Sequence, residues 1–163
     1  MENFINGIKD LRVLIDASFI PIASLNKTRE TSLALTKAQE SKMWLGQILK
    51  ELGNDTPYTD SKNPKNDKIE PTADVSENEK EFREKSEYWG LGDIEKVKFL
   101  RNHFTELSDE IHAFGTAYAS SQQGQMQRKM NSVLDYTNYS YKYCLESNMW
   151  LGMELGRIYE SNK

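Results

Sequence analysis

The chain has 163 residues, of which 37% are hydrophobic and 28% charged, and its net charge is −4. That length allows one ordinary domain or two very small ones, and the acidic balance excludes a general DNA or RNA backbone binder, which is normally basic. No apolar run approaches the ~18 residues of a membrane span, the start Met1-Glu2-Asn3-Phe4 lacks the charged-then-apolar pattern of a signal peptide, and the single cysteine, Cys144, excludes an internal disulfide and a multi-cysteine zinc site, so a cytoplasmic location is expected.

Along the chain, Phe4, Ile5, Ile8, Leu11, Leu14 and Ile15 repeat at helical spacing, and Pro21 ends or kinks this first helix. A second helix is predicted over about 27–52, with Leu35, Ala38, Leu45, Leu49 and Leu52 as its apolar stripe and Gly53 as its stop. The short connection from Pro21 to Asn26 makes the two antiparallel neighbours. Three of the four prolines, Pro57, Pro64 and Pro71, then fall in one polar stretch. Residues 54–87 hold ten Asp or Glu against six Lys or Arg, a difference that equals the whole net charge. Residues 54–78 read as a long loop, within a linker spanning 54–92.

The helical pattern returns with Val97, Leu100, Phe104, Leu107, Ile111, Phe114 and Tyr118, an unbroken alternation of three and four. Asp93, after Gly92, is the expected N-cap. Residues 119–125 form the turn, and a last helix is predicted over about 126–159 with Met130, Val133, Thr137, Cys144, Leu151, Leu155 and Ile158 on its seam. No segment alternates like a strand. The expected fold is all-α: two antiparallel helical hairpins, 1–53 and 93–163, joined by the acidic, proline-containing linker.

The sharpest signal is an internal repeat. Glu40-Ser41-Lys42-Met43-Trp44-Leu45-Gly46 returns as Glu146-Ser147-Asn148-Met149-Trp150-Leu151-Gly152, with six of seven residues identical at an offset of 106. Both copies lie in the second helix of a hairpin, which points to two diverged copies of one unit. Gly46 and Gly152 each cost ~1 kcal/mol in a helix interior relative to Ala, so a close approach of another helix or a ligand is expected there.

The stretch Ala38-Gln39-Glu40-Ser41-Lys42-Met43-Trp44-Leu45 resembles the helical-hairpin family of phage immune-evasion sponges, the anti-CBASS and anti-Thoeris proteins that sequester host signalling nucleotides. The resemblance covers about 25 residues around Trp44 and a weaker 25 around Trp150. It implies a small cytoplasmic protein of the infected host that forms a homo-oligomer through its helices. Such a protein holds a cyclic nucleotide or a cyclic ADP-ribose-type signal without cleaving it, uses no cofactor or metal, and is not an enzyme. Carried over by position, Met43, Trp44, Leu45, Met149, Trp150 and Leu151 are packing and assembly residues. The family has one hairpin per chain where this sequence has two, and the second copy has Asn148 and Tyr143 where the first has Lys42 and Lys37.

Nucleotide capture needs cations for phosphates and flat faces for bases. Arg128, Tyr136, Tyr139 and Lys142 on the last helix, with Arg29 and Lys37 on the second, are the candidates, chosen as cations without internal partners beside tyrosines that share a face. A second apolar seam and a solvated charged face are the plain alternatives. Two other functions stay open: a helical adaptor whose partner is a protein, and a Mg²⁺-dependent nucleotide pyrophosphohydrolase using Glu106, Asp109 and Glu110 with a second set at Glu77, Glu79 and Glu81. His103 and His112 are nine apart, which is not a helical metal-ligand spacing.

Overall fold

The computed structural model describes residues 2–53, 86–121 and 130–163. Every regular element among them is a helix: α1 (Glu2–Ala17), α2 (Phe19–Ala23), α3 (Arg29–Glu51), α4 (Ser86–Trp89), α5 (Asp93–Ser120) and α6 (Met130–Ser161). None of these helices is long and apolar enough to cross a membrane. The loop at 54–78, Glu77, Glu79 and Glu81, the start of the last helix expected at 126–129, Arg128 and the Met130 side chain lie outside the described residues.

The four long helices form a bundle in which α3 lies along α6, α6 along α5, α5 along α1 and α1 along α3. Contacts that run in opposite order on the two partners make α3 antiparallel to α6. Thr28 meets Glu154, Ser41 meets Ser140, and Trp44 meets Tyr136. The same reasoning makes α5 antiparallel to α6, through Arg101 with Asn148 and His112 with Tyr141. It also makes α1 antiparallel to α5, through Leu14 with His103 and Phe4 with Tyr118.

The seams read from spacing fill the core. Val97, Leu100, Phe104, Leu107, Ile111 and Tyr118 are buried, as are Ala38, Leu45, Leu49, Leu52, Val133, Cys144 and Leu151. Leu35, Phe114, Leu155 and Ile158 pack at its margin. Polar side chains also occupy core positions: Ser41, His103, Ser108, Thr137, Ser140, Ser147 and Glu154 are buried.

Several ends differ from the sequence reading. The break after α1 falls at Ser18, before Pro21, which sits as the third residue of α2. The missing Pro21 N–H would have bonded to the carbonyl of Ala17, so the helix parts where the proline withholds its donor. The α3 start is capped by Thr28, whose Oγ1 accepts from the Thr31 N–H while Thr31 Oγ1 accepts from the Thr28 N–H. Gly53, at φ 86°, closes that helix as expected. Gly92, with extended backbone, rather than Asp93 is the N-cap of α5; Asp93 is the first helical residue, and its carboxylate accepts from Asn26 Nδ2 at 3.0 Å. The end of the 54–92 segment is not all loop: α4 buries Tyr88, whose hydroxyl donates to the Pro21 carbonyl.

Candidate functional site

The two copies of the repeated word lie on the two helices that share the broadest contact, α3 and α6. Their environments match at six of the seven positions, the exception being buried Gly46 against half-buried Gly152. Ser41 and Ser147 are buried, as are Leu45 and Leu151, while Met43 and Met149 are exposed and Trp44 and Trp150 half-buried. The hydrogen bonds match too. Ser41 Oγ donates to the Ser140 carbonyl at 2.8 Å, and Ser147 Oγ donates to the Ala34 carbonyl at 2.8 Å. Positions 34 and 140 are themselves repeat counterparts. The two bonds are therefore related by a local two-fold that passes near Lys37 and Tyr143, which are also counterparts.

The correspondence reaches the outer helices. Lys42 pairs with Asp16 of α1, and its counterpart Asn148 donates to Thr105 Oγ1 of α5 at 3.1 Å. Asp16 and Thr105 are 89 positions apart, the spacing that also separates the buried pairs Ile8 and Val97, Leu11 and Leu100, and Ile15 and Phe104. The same local two-fold arrangement thus carries different chemistry on its two sides: an ion pair at Lys42, and at Asn148 a neutral amide that donates to Thr105 and accepts from Arg101.

On the outward side of α3 and α6 the described sequence-predicted residues form a strip. At one end Trp44 stacks on Tyr136 with ring centroids 5.3 Å apart and meets Tyr139 at 4.8 Å. At the middle, Lys37 Nζ lies 5.0 Å from the Tyr143 ring centre, and Lys142 Nζ lies 5.6 Å from the same ring. At the other end the Arg29 guanidinium stands over Trp150 at 5.6 Å. Fifteen residues of α3 separate Arg29 from Trp44, about 22 Å at 1.5 Å per residue. Arg29 and the tyrosine pair therefore serve different ends of the strip.

The expectation that all four cations lack internal partners fails at Lys37. Its ammonium lies 3.2 Å from Glu40 and 3.6 Å from Glu146, two carboxylates that are repeat counterparts. The hydrogen bond to Glu40 holds its pKa above the usual lysine value. Its charge is committed to this pair of acids, because Glu40 and Glu146 converge on the local axis and need one cation between them. Lys142 and Arg29 contact rings only and form no ion pair among the described residues.

The close approach expected at Gly152 is made by a side chain. A Cβ there would stand 3.1 Å from the Arg101 guanidinium carbon. Arg101 Nε donates to Asn148 Oδ1 at 3.1 Å, so the glycine makes room for an arginine from α5. Gly115 of α5 likewise faces a side chain of α6: a Cβ there would meet Thr137 Cγ2 at 3.0 Å.

Other titratable groups are tied into the fold. Burial pushes the Cys144 thiol up to about 12, and it accepts from Ser108 Oγ at 3.2 Å. Burial lowers His103 to about 4, and its Nε2–H donates to the Leu14 carbonyl at 3.0 Å. Glu154 takes bonds from Thr28 and Arg157, which hold its carboxyl below the usual range against the opposing effect of burial. Glu106, Asp109 and Glu110 are exposed on α5. Desolvation, followed by the charges of Glu106 and Asp10, raises Glu110. Among the described residues no group of three or more His, Cys, Asp or Glu is placed to hold a metal ion. Sequence reasoning missed Glu146 and Glu40 as the partners of Lys37, although Glu40 three residues after Lys37 was the available signal.

No family model, curated protein or solved structure matches this chain.

Proposed function

We propose that this is a phage immune-evasion protein that binds a host cyclic-nucleotide or cyclic ADP-ribose-type signal and sequesters it uncleaved, built from two diverged antiparallel hairpins. The observation that carries the reading is the strip of aromatic faces and cations on the outer side of α3 and α6. There Trp44, Tyr136 and Tyr139 cluster at one end, with Lys142 one helical turn from Tyr139. Flat rings stack on bases without regard to their identity, and ammonium groups hold phosphates. The resemblance of the Met-Trp-Leu word to the sponge family supports the same reading. Sequestration requires tight binding and no general acid or base.

Self-association belongs to this proposal. Leu145, Met149 and Met153 recur every fourth residue on α6 and are all exposed, as is Met43 on α3. Exposed Met at such density is characteristic of interfaces, and a second copy covering it gives a homo-oligomer. Sedimentation at micromolar concentration is expected to show more than one chain per particle, and a monomer there overturns this part.

A thermal-shift screen against cyclic di- and trinucleotides and cyclic ADP-ribose isomers tests the binding. A ligand at a hundredfold excess over its Kd stabilises by about 2.7 kcal/mol, a shift of several degrees. No shift with any of them contradicts the reading.

A further inference from the structure

We propose, resting on the nucleotide-binding reading above, that each chain takes one nucleotide and not two, at the Trp44–Tyr139 end of the strip, with its base on Tyr139 and its phosphate at Lys142. The local two-fold gives the chain two ends with the same Met-Trp-Leu word, but their surroundings differ. Opposite Trp44, α6 supplies Tyr136 and Tyr139, with centroids 5.3 and 4.8 Å from the Trp44 ring. The counterpart positions opposite Trp150 hold Glu30 and Leu33, so the aromatic cluster has no twin. Arg29 lies over the Trp150 ring there, occupying a face that a base would need.

At the Trp44 end Tyr139 is 43% exposed and offers an open ring. The charges around it are polar in their arrangement. Lys142 lies one turn further along α6 and Asp135 one turn before, both exposed. On α3, Glu40 is engaged by Lys37. An anionic group is attracted toward Lys142 and repelled from Asp135, so a base on Tyr139 is oriented with its phosphate toward the middle of the strip. The occupant this fits is a purine or pyrimidine nucleotide, and the asymmetry predicts single occupancy on a two-fold scaffold.

Calorimetric titration of the full chain with AMP, cyclic di-AMP, cyclic di-GMP and cyclic ADP-ribose tests this. At least one is expected to saturate at one equivalent per chain. Tyr139→Ala should weaken it by about fivefold or more, and Lys142→Gln by about threefold with a shallower salt dependence. Arg29→Ala should stay within about twofold of the parent, since that end is not used. Tyr139, Lys142 and Arg29 are all exposed, and unchanged helicity confirms that the variants fold. Two equivalents per chain, an unchanged Tyr139→Ala, or a loss on Arg29→Ala overturns the single-site inference while leaving nucleotide binding standing. Binding of none of the four overturns both.

Discussion

The His103 imidazole is held neutral between α5 and α1, because burial opposes its charge and the Leu14 carbonyl needs only its Nε2–H. A histidine whose folded pKa is about 4, below the unfolded value near 6.5, binds fewer protons folded than unfolded between those limits. Its contribution is therefore fully present above pH 6.5 and is lost as pH falls toward 4, by about 3 kcal/mol at most. Glu154, depressed by Arg157 and Thr28, adds a further loss only at lower pH. His103→Gln keeps a donor for Leu14, so its chemical-denaturation stability should vary much less than the parent's between pH 6.5 and 4. An equal slope in both proteins would place the sensitivity elsewhere. This histidine was not legible as core from the sequence. The heptad seam is read from apolar spacing, and a polar residue becomes a core residue only when a partner on another helix is known. Ser140, Ser147 and Glu154 were hidden for the same reason: their partners, Ser41, Ala34 and Thr28, lie about a hundred residues away.

Helix stops were more legible than helix starts. Gly53 was read as the stop of α3 and closes it, whereas the Thr28–Thr31 box that starts α3 was not read and the N-cap of α5 is Gly92 instead of the expected Asp93. The Pro21 effect was read in the right place but one turn late, since the cost of a proline falls on the carbonyl four residues before it. Gly156 in α6 and Gly53 after α3 separate helix propensity from backbone conformation. Nothing lies within 4 Å of a Cβ at Gly156, so Gly156→Ala should raise stability by about 0.5–1 kcal/mol. Gly53→Ala, at positive φ, should lower it by about 1 kcal/mol. Urea unfolding of both variants checks the pair, and a stabilised Gly53→Ala would contradict the cap. Within the repeated word, the buried Leu45 and Leu151 should each cost about 2–5 kcal/mol on truncation to Ala. Met43→Ala and Met149→Ala, at 45% and 49% exposure, should change the monomer fold by about 0.5 kcal/mol or less. Larger losses at the methionines that vary with protein concentration would show that a second chain covers them.

At the scale of the molecule, a short repeated word pointed to a relation between distant parts of the chain, and the contacts of Ser41 and Ser147 follow it. The all-helical class and the seams were legible because they depend on periodicity. The strip of Trp44, Tyr136, Tyr139, Lys142, Lys37 and Arg29 was legible only as a set of residue types. The meeting of its α3 and α6 members follows from the antiparallel pairing of those helices, and the neutralisation of Lys37 from the convergence of Glu40 and Glu146, neither of which spacing along one helix can reveal. The central claim is capture without chemistry. The protein should be saturated with the nucleotide found by thermal shift, freed of excess by gel filtration, denatured by heat, and its released ligand identified by mass spectrometry. The starting nucleotide should be recovered with unchanged mass, in proportion to the protein and unaffected by added Mg²⁺. Recovery of a hydrolysed product, or of no nucleotide at all, would contradict it.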